Sequence, residues 1–123
     1  MTGPVRALVP MAHVRSVAAS IAFYTRLGFE VDNTIAPAGE EEPSWAYLGS
    51  DRAQLMLSKA DEPVAASQQG VLFYVYCDDV PALRERLVAD GVAAGPIAHP
   101  FYAPDGEFRI EDPDGYVIMV THV

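Results

Sequence analysis

Apolar residues recur at helical spacing in two segments of the chain and at alternate positions in several others. In SVAASIAFYTRLGF, from Ser16, the residues Val17, Ile21, Tyr24 and Leu27 fall three or four apart, the period of one helix face. DVPALRERLVADGV, from Asp79, repeats this with Val80, Leu83, Leu87 and Val88. Ser16 and Asp79 suit an N-cap, whose side-chain oxygen accepts from an amide of the first turn, and Gly28 and Gly91 are natural C-terminal stops. The spacing predicts helices over 16–27 and 80–89. Alternating runs predict strands at about 6–13, 29–35, 45–49 and 53–59, then at 71–77, 92–97, 107–111 and 116–121. The last two are joined by Asp112-Pro113-Asp114-Gly115, with Pro and Gly where a tight reversal needs them.

The chain is written twice. The helix openers are 79 − 16 = 63 residues apart and the stops 91 − 28 = 63. The same shift carries Gln54-Leu55-Met56-Leu57 onto Val117-Ile118-Met119-Val120 and Val9 onto Leu72, without a gap. One domain over 1–123 is expected, with repeat modules of about 5–60 and 70–123 and a polar linker, 61–69. The fold class predicted is α+β: two tandem βαβββ modules forming curved mixed sheets around a concave cleft.

Strand alternation assigns faces. Leu55, Leu57, Val71, Phe73, Val75, Cys77, Ile118 and Val120 are predicted beneath helices. Leu72, Tyr74, Tyr76, Gln54, Met56, Ser58, Val117, Met119 and Thr121 then belong to the open faces, which makes Met119 a wall of the cleft. The repeat sets Trp45 opposite Phe108 and Tyr47 opposite Ile110, which favours a core position for Trp45; Glu107, Arg109 and Glu111 fall on the open side.

Composition narrows the partners. The net charge of −9 disfavours nucleic-acid backbones and anionic membrane surfaces and favours a cationic small molecule. No run approaches the roughly 18 apolar residues of a membrane helix, and the first residues lack a signal-peptide pattern, so a cytoplasmic protein is expected. Cys77 is the single cysteine, which excludes an internal disulfide and a thiolate zinc site. No nucleophile elbow, phosphate loop or dinucleotide fingerprint occurs. His13, His99 and His122 are too scattered for a ligand pair, although His13 shares parity with Met11 and could serve as a base. Glu40-Glu41-Glu42 reads as a solvated loop, or as an acidic lure at the mouth of the cleft.

The run Ala22-Phe23-Tyr24-Thr25-Arg26-Leu27-Gly28-Phe29, the pair Glu107-Phe108 ahead of Asp112-Pro113-Asp114-Gly115, and the duplicated layout resemble the vicinal oxygen chelate superfamily of glyoxalases, bleomycin resistance proteins and extradiol dioxygenases. In its enzymes, His and Glu from the first and last strands of each half hold a divalent metal. The matching positions here are Val9, Met56, Leu72 and Met119. Val and Leu carry no donor, and thioethers suit soft ions, so neither metal nor other cofactor is expected.

Within the superfamily the chain looks most like the bleomycin resistance proteins, in Val9-Pro10, its length, its acidity and its Gly106-Glu107-Phe108 run. The family usually has Arg where this chain has Gly106. The resemblance implies a homodimer whose acidic, aromatic-lined clefts sequester a cationic or aromatic antibiotic or metabolite without altering it. The ligand-contact residues expected are Met11, His13, Tyr47, Met56, Tyr74, Tyr76, Glu107, Arg109 and Met119, with Phe101 and Tyr102 on a stiff loop, 96–106, over the opening. The alternatives are a glyoxalase-like lyase or isomerase, or a dioxygenase-related enzyme, with His13 or Glu107 as the catalytic group, and a structural module whose concavity is filled by side chains.

Overall fold

The computed structural model of the chain describes residues 3–123. Its elements are β1 (Met11–Val14), α1 (Val17–Leu27), β2 (Glu30–Ile35), β3 (Trp45–Ser50), β4 (Ala53–Lys59), a 3-10 turn (Ala66–Gln68), β5 (Phe73–Cys77), α2 (Val80–Ala89), β6 (Glu107–Glu111) and β7 (Val117–His122). They form two compact units, one ending at Val64 and the other spanning Ala65–Val123. Each is one helix on one mixed sheet, in strand order β1-β4-β3-β2 and β5-β7-β6. The first and last strands of each unit pair in parallel, and the remaining neighbours are antiparallel. A parallel pair needs a long crossover, and the helix lies in it. The α+β class and the mixed sheets are as predicted.

In the first unit Ser16 caps α1 by accepting from the Ala19 amide at 3.1 Å. Gly28 ends the helix at φ +116°, a conformation that costs a glycine little. Between these stops the helix buries Val17, Phe23, Tyr24 and Leu27. The Tyr24 ring meets Phe23 and Phe29 edge-on, with centroids 5.1 and 5.9 Å away. The sheet contributes Val14, Ala46, Leu48, Leu55 and Leu57 to this core.

The second unit packs less tightly around its helix. Asp79 caps α2 through the Ala82 amide, and Val80 and Leu87 are buried with Phe108, Ile110, Ile118 and Val120. Val88, predicted for this face, is exposed. Leu83 and Arg84 are half-buried one turn after Val80, and the Arg84 guanidinium donates to the Gly95 and Ala94 carbonyls at 2.7 and 3.1 Å.

That contact explains one departure from the predicted strands. Residues 92–97 form no strand: Arg84 occupies carbonyls a ladder would use, Pro96 has no N–H, and the segment is tied on by the Gly95 amide to Arg109 O and the bridge Ala98–Glu107. The second sheet therefore has three strands. β1 starts at Met11 instead of residue 6, since Pro10 cannot donate to the ladder and lends only its carbonyl, to Met56 N at 2.9 Å. β5 starts at Phe73, which leaves Val71, predicted beneath the helix, exposed and outside the strand with Leu72.

The ungapped repeat fails in the hairpins. Met11 pairs with Met56 and Tyr74 with Met119, which keeps the offset of 63. Across the hairpins, however, Tyr47 pairs with Met56 while Arg109 pairs with Met119, an offset of 109 − 47 = 62. Between equivalent paired positions the β6–β7 hairpin spans one residue more than the β3–β4 hairpin (119 − 109 = 10 against 56 − 47 = 9), and the buried Asp112 organises its turn. Its Oδ1 accepts from the amides of Asp114 and Tyr116, both at 2.9 Å.

Asp112→Ala removes both charge-assisted bonds from a buried turn and is expected to lower the unfolding free energy by about 2–4 kcal/mol, read from the urea midpoint. Asp112→Asn, which keeps the accepting oxygen, is expected to lose less than half of that.

Candidate functional site

Because each helix covers one face of its sheet, the register specifies what the other face presents. In the first unit the open face carries the row Met11–Met56–Tyr47 and, two pairs along, the row His13–Ser58–Trp45. Trp45 is thus on the open face, contrary to the core position that the repeat favoured. The buried partner of Leu57 is Ala46, because the shorter β3–β4 hairpin shifts the strand by one residue, and one residue exchanges the faces. Trp45 and Tyr47 lie beside each other, with ring centroids 6.2 Å apart.

In the second unit the equivalent rows are Tyr74–Met119–Arg109 and Tyr76–Thr121–Glu107. Tyr74 and Tyr76 are largely exposed, the latter to 64 %, and Met119 is half-buried between its neighbours. Arg109 donates to Glu111 on its own strand at 3.1 Å. Glu107 differs from these charges. Its register puts it on the open side, yet it is only 5 % exposed. Oε1 accepts from the Tyr102 hydroxyl at 3.0 Å, and Oε2 has no hydrogen-bond partner among the described residues.

The loop before β6 delivers that hydroxyl. The amides and carbonyls of Ala98 and Glu107 bond to each other at 2.8 and 2.9 Å and close the segment 99–106. Inside it Ala103 is buried, Phe101 is 94 % exposed, and the Tyr102 ring stands edge-on to Phe101 with its hydroxyl turned onto Glu107. Gly106 makes the closure feasible. Its φ is +110°, and a Cβ there would lie 2.9 Å from Cγ2 of Ile97. An arginine, which the resemblance leads one to expect here, would be strained by the positive φ and obstructed by Ile97.

The Glu107 carboxylate raises the Tyr102 pKa above the usual phenol value, first through the hydrogen bond, which holds the proton, and then through its charge; Tyr74 adds a smaller electrostatic push. Burial raises the Cys77 thiol, and the charges of Asp78 and Asp79 push the same way, so Cys77 is a poor nucleophile near neutral pH. His13 is exposed. His99 Nδ1 lies 3.0 Å from the Pro104 carbonyl, and His122 Nδ1 lies 2.7 Å from Val123 O and 3.6 Å from Asp105.

A metal finds no fitting donor set at the stations matched to the family's ligands. Met56 and Met119 offer thioethers on the open faces, while Val9 and Leu72 have no donor and lie outside the strands. Among the described residues no three of His, Cys, Asp and Glu come together. Glu40, Glu41 and Glu42 line a separate groove of about 410 Å³ in the first unit, together with Arg15 and Lys59 near the start of α1. None of the predicted ligand-contact residues reaches it.

The eleven predicted contact residues therefore divide. Met11, His13, Tyr47 and Met56 share one open face; Tyr74, Tyr76, Glu107, Arg109 and Met119 share the other; Tyr102 touches Glu107, and Phe101 points to solvent. Trp45 and the Tyr102–Glu107 contact escaped the sequence reading. Comparing the lengths of the two hairpins reveals the first, whereas nothing in the pattern of residues 99–106 points to the second.

Solved structures share this fold. The bleomycin-binding protein of Streptomyces verticillus, complexed with copper(II)-bleomycin, superposes with a TM-score of 0.70 at 20% identity over 99% of both chains. An antibiotic binding protein of a Streptomyces species gives 0.77 at 19% identity over 99% of this chain and 98% of that one. Lactoylglutathione lyase from Agrobacterium tumefaciens gives 0.68 at 20% identity over 98% and 96%. At these identities the likeness is one of fold. No curated protein sequence matches the chain. Residues 8–120 match the profile described as the Glyoxalase/Bleomycin resistance protein/Dioxygenase superfamily. With nearly its whole length matched and both half-sheets built on the same parallel first-and-last-strand plan, the chain belongs to that superfamily.

Proposed function

We propose that this protein is a metal-independent small-molecule binder which sequesters an aromatic or cationic antibiotic or metabolite. The observation that carries the reading is the content of the two open faces. Of the stations matched to the metal ligands of the superfamily's enzymes, Val9 and Leu72 carry no donor atom, while Met56 lies beside Met11 in one unit and Met119 beside Tyr74 in the other. Thioethers and phenol rings beside Trp45 and Tyr47 make polarisable, adaptable walls for a flat guest. The surplus of negative charge raises the local concentration of a cationic one. Proteins of the same fold that bind bleomycin and another antibiotic support the ligand class.

The chain acts in this reading as one ligand-binding domain, in the cytoplasm and as a homodimer. The single thiol of Cys77 suits a reducing compartment, and no described helix is long and apolar enough to cross a membrane. The apolar groups left uncovered on each sheet, Met11 and Tyr76 among them, favour a second copy. An enzymatic role as a lyase, isomerase or dioxygenase relative is the other reading, favoured by one feature, the buried carboxylate of Glu107.

Titration with bleomycin, cationic proflavine and neutral acridone, followed by Trp45 fluorescence, is expected to give saturable quenching by at least one of them. Silence across the three would remove the binder. Met119→Lys, which sets a cation among the phenol rings, is expected to weaken proflavine binding tenfold or more, and an unchanged affinity would move the site elsewhere. Native mass spectrometry is expected to show two chains and no bound divalent ion; one tightly held ion per chain would favour the enzyme.

A further inference from the structure

Glu107 raises a question of chemistry. A carboxylate withdrawn from water is stable only where its lone pairs are engaged, and an ionised one has about four acceptor sites. Here a single hydroxyl, from Tyr102, reaches Oε1, while Oε2 is buried with no partner among the described residues. A cation on the same face of the same strand is directed elsewhere: Arg109 donates to the exposed Glu111. The group above Glu107 borders solvent. Tyr102 is 61 % exposed and sits on a loop whose anchors are the Ala98–Glu107 bridge and Ala103, so its ring can swing out while the bridge stays closed.

The surroundings select the replacement. Tyr76 lies in the same cross-strand row as Glu107, beyond Thr121, and Tyr74 is close enough to Tyr102 to act on its ionisation. Phenol faces that share a sheet face with a carboxylate favour a nitrogen cation there, and the unpartnered oxygen rewards one that carries N–H donors.

We propose that Glu107 is the receptor for a primary ammonium or amidinium group of the ligand, with the Tyr102 hydroxyl keeping its place in the free protein. The incoming cation displaces that hydroxyl, donates to both carboxylate oxygens and lies against the rings of Tyr74 and Tyr76. This deepens the binding function proposed above, and rests on it only in putting the ligand on this sheet. It adds a specificity: a quaternary ammonium, which has no N–H, gains the phenol faces and forgoes the carboxylate bonds. Tyr102 is a positioning residue here, holding the carboxylate closed until the cation arrives.

The test compares benzamidine with its neutral isostere benzamide and with benzyltrimethylammonium by isothermal titration, with acridone as a probe of the apolar face alone. Wild type is expected to prefer benzamidine to benzamide tenfold or more, and benzyltrimethylammonium to fall between them. Glu107→Gln, nearly isosteric, is expected to bring the benzamidine preference close to one. Tyr102→Phe, which removes the competing hydroxyl, is expected to tighten benzamidine about three- to tenfold and keeps the proposal testable should Glu107→Gln not fold. No benzamidine preference in wild type, a preference that survives Glu107→Gln, or weaker benzamidine binding in Tyr102→Phe would each overturn it. If acridone fails to bind while the benzamidine preference is present, the carboxylate receptor stands and the flat-ligand reading falls. Acridone bound without that preference removes the receptor and leaves the flat-ligand reading in place.

Discussion

A strand can hide only every second side chain beneath a helix, and in this chain each half has one helix and one sheet to put under it. That restriction governs the rest of the molecule. Once Val14, Ala46, Leu48, Leu55 and Leu57 are under α1, their neighbours along the strands must face outward, and the same holds for Phe108, Ile110, Ile118 and Val120 under α2. What the outward faces carry is therefore free of the demands of the core. In most surface sheets that freedom is filled with charge. Here methionine, tyrosine and tryptophan take many of those places, beside His13, Arg109 and Glu107; they cost solubility and gain contact area.

Much of this was legible in the amino-acid order. The caps at Ser16 and Asp79, the stop at Gly28 and the alternation in β4 and β7 are local signals, and local signals survive into the fold because nothing in their surroundings opposes them. The open-face positions of Met56, Tyr74, Tyr76 and Met119 followed from the same alternation. The readings that failed depended on partners. Residues 92–97 have an acceptable strand composition, yet Arg84, distant in sequence, engages their carbonyls. Trp45 was misplaced because an offset measured on helices and last strands was carried across a hairpin of different length. Residues 6–9 precede Pro10, which cannot donate to the ladder, and Val71 lies outside β5, which starts at Phe73.

The chemistry of the second sheet depends on backbone geometry to an equal degree. A left-handed turn at Gly106 and a two-bond bridge between Ala98 and Glu107 fold the preceding loop back over β6. Without that return, Glu107 would be one more solvated carboxylate, like Glu111 further along the strand. With it, an ordinary surface position becomes a desolvated acceptor whose proton-donating cover belongs to an exposed tyrosine. The arrangement ties the carboxylate to the loop, since the Tyr102 hydroxyl covers Oε1.

The extra residue in the β6–β7 hairpin makes the two copies of the repeat unequal as contact surfaces. At the stations related by the pairing, one copy bears the indole of Trp45 and the other the carboxylate of Glu107; likewise the phenol of Tyr47 answers the guanidinium of Arg109. At these stations the first sheet presents aromatic carbon and the second presents charge. Duplication supplied two equivalent frames, and a single inserted residue gave them different faces.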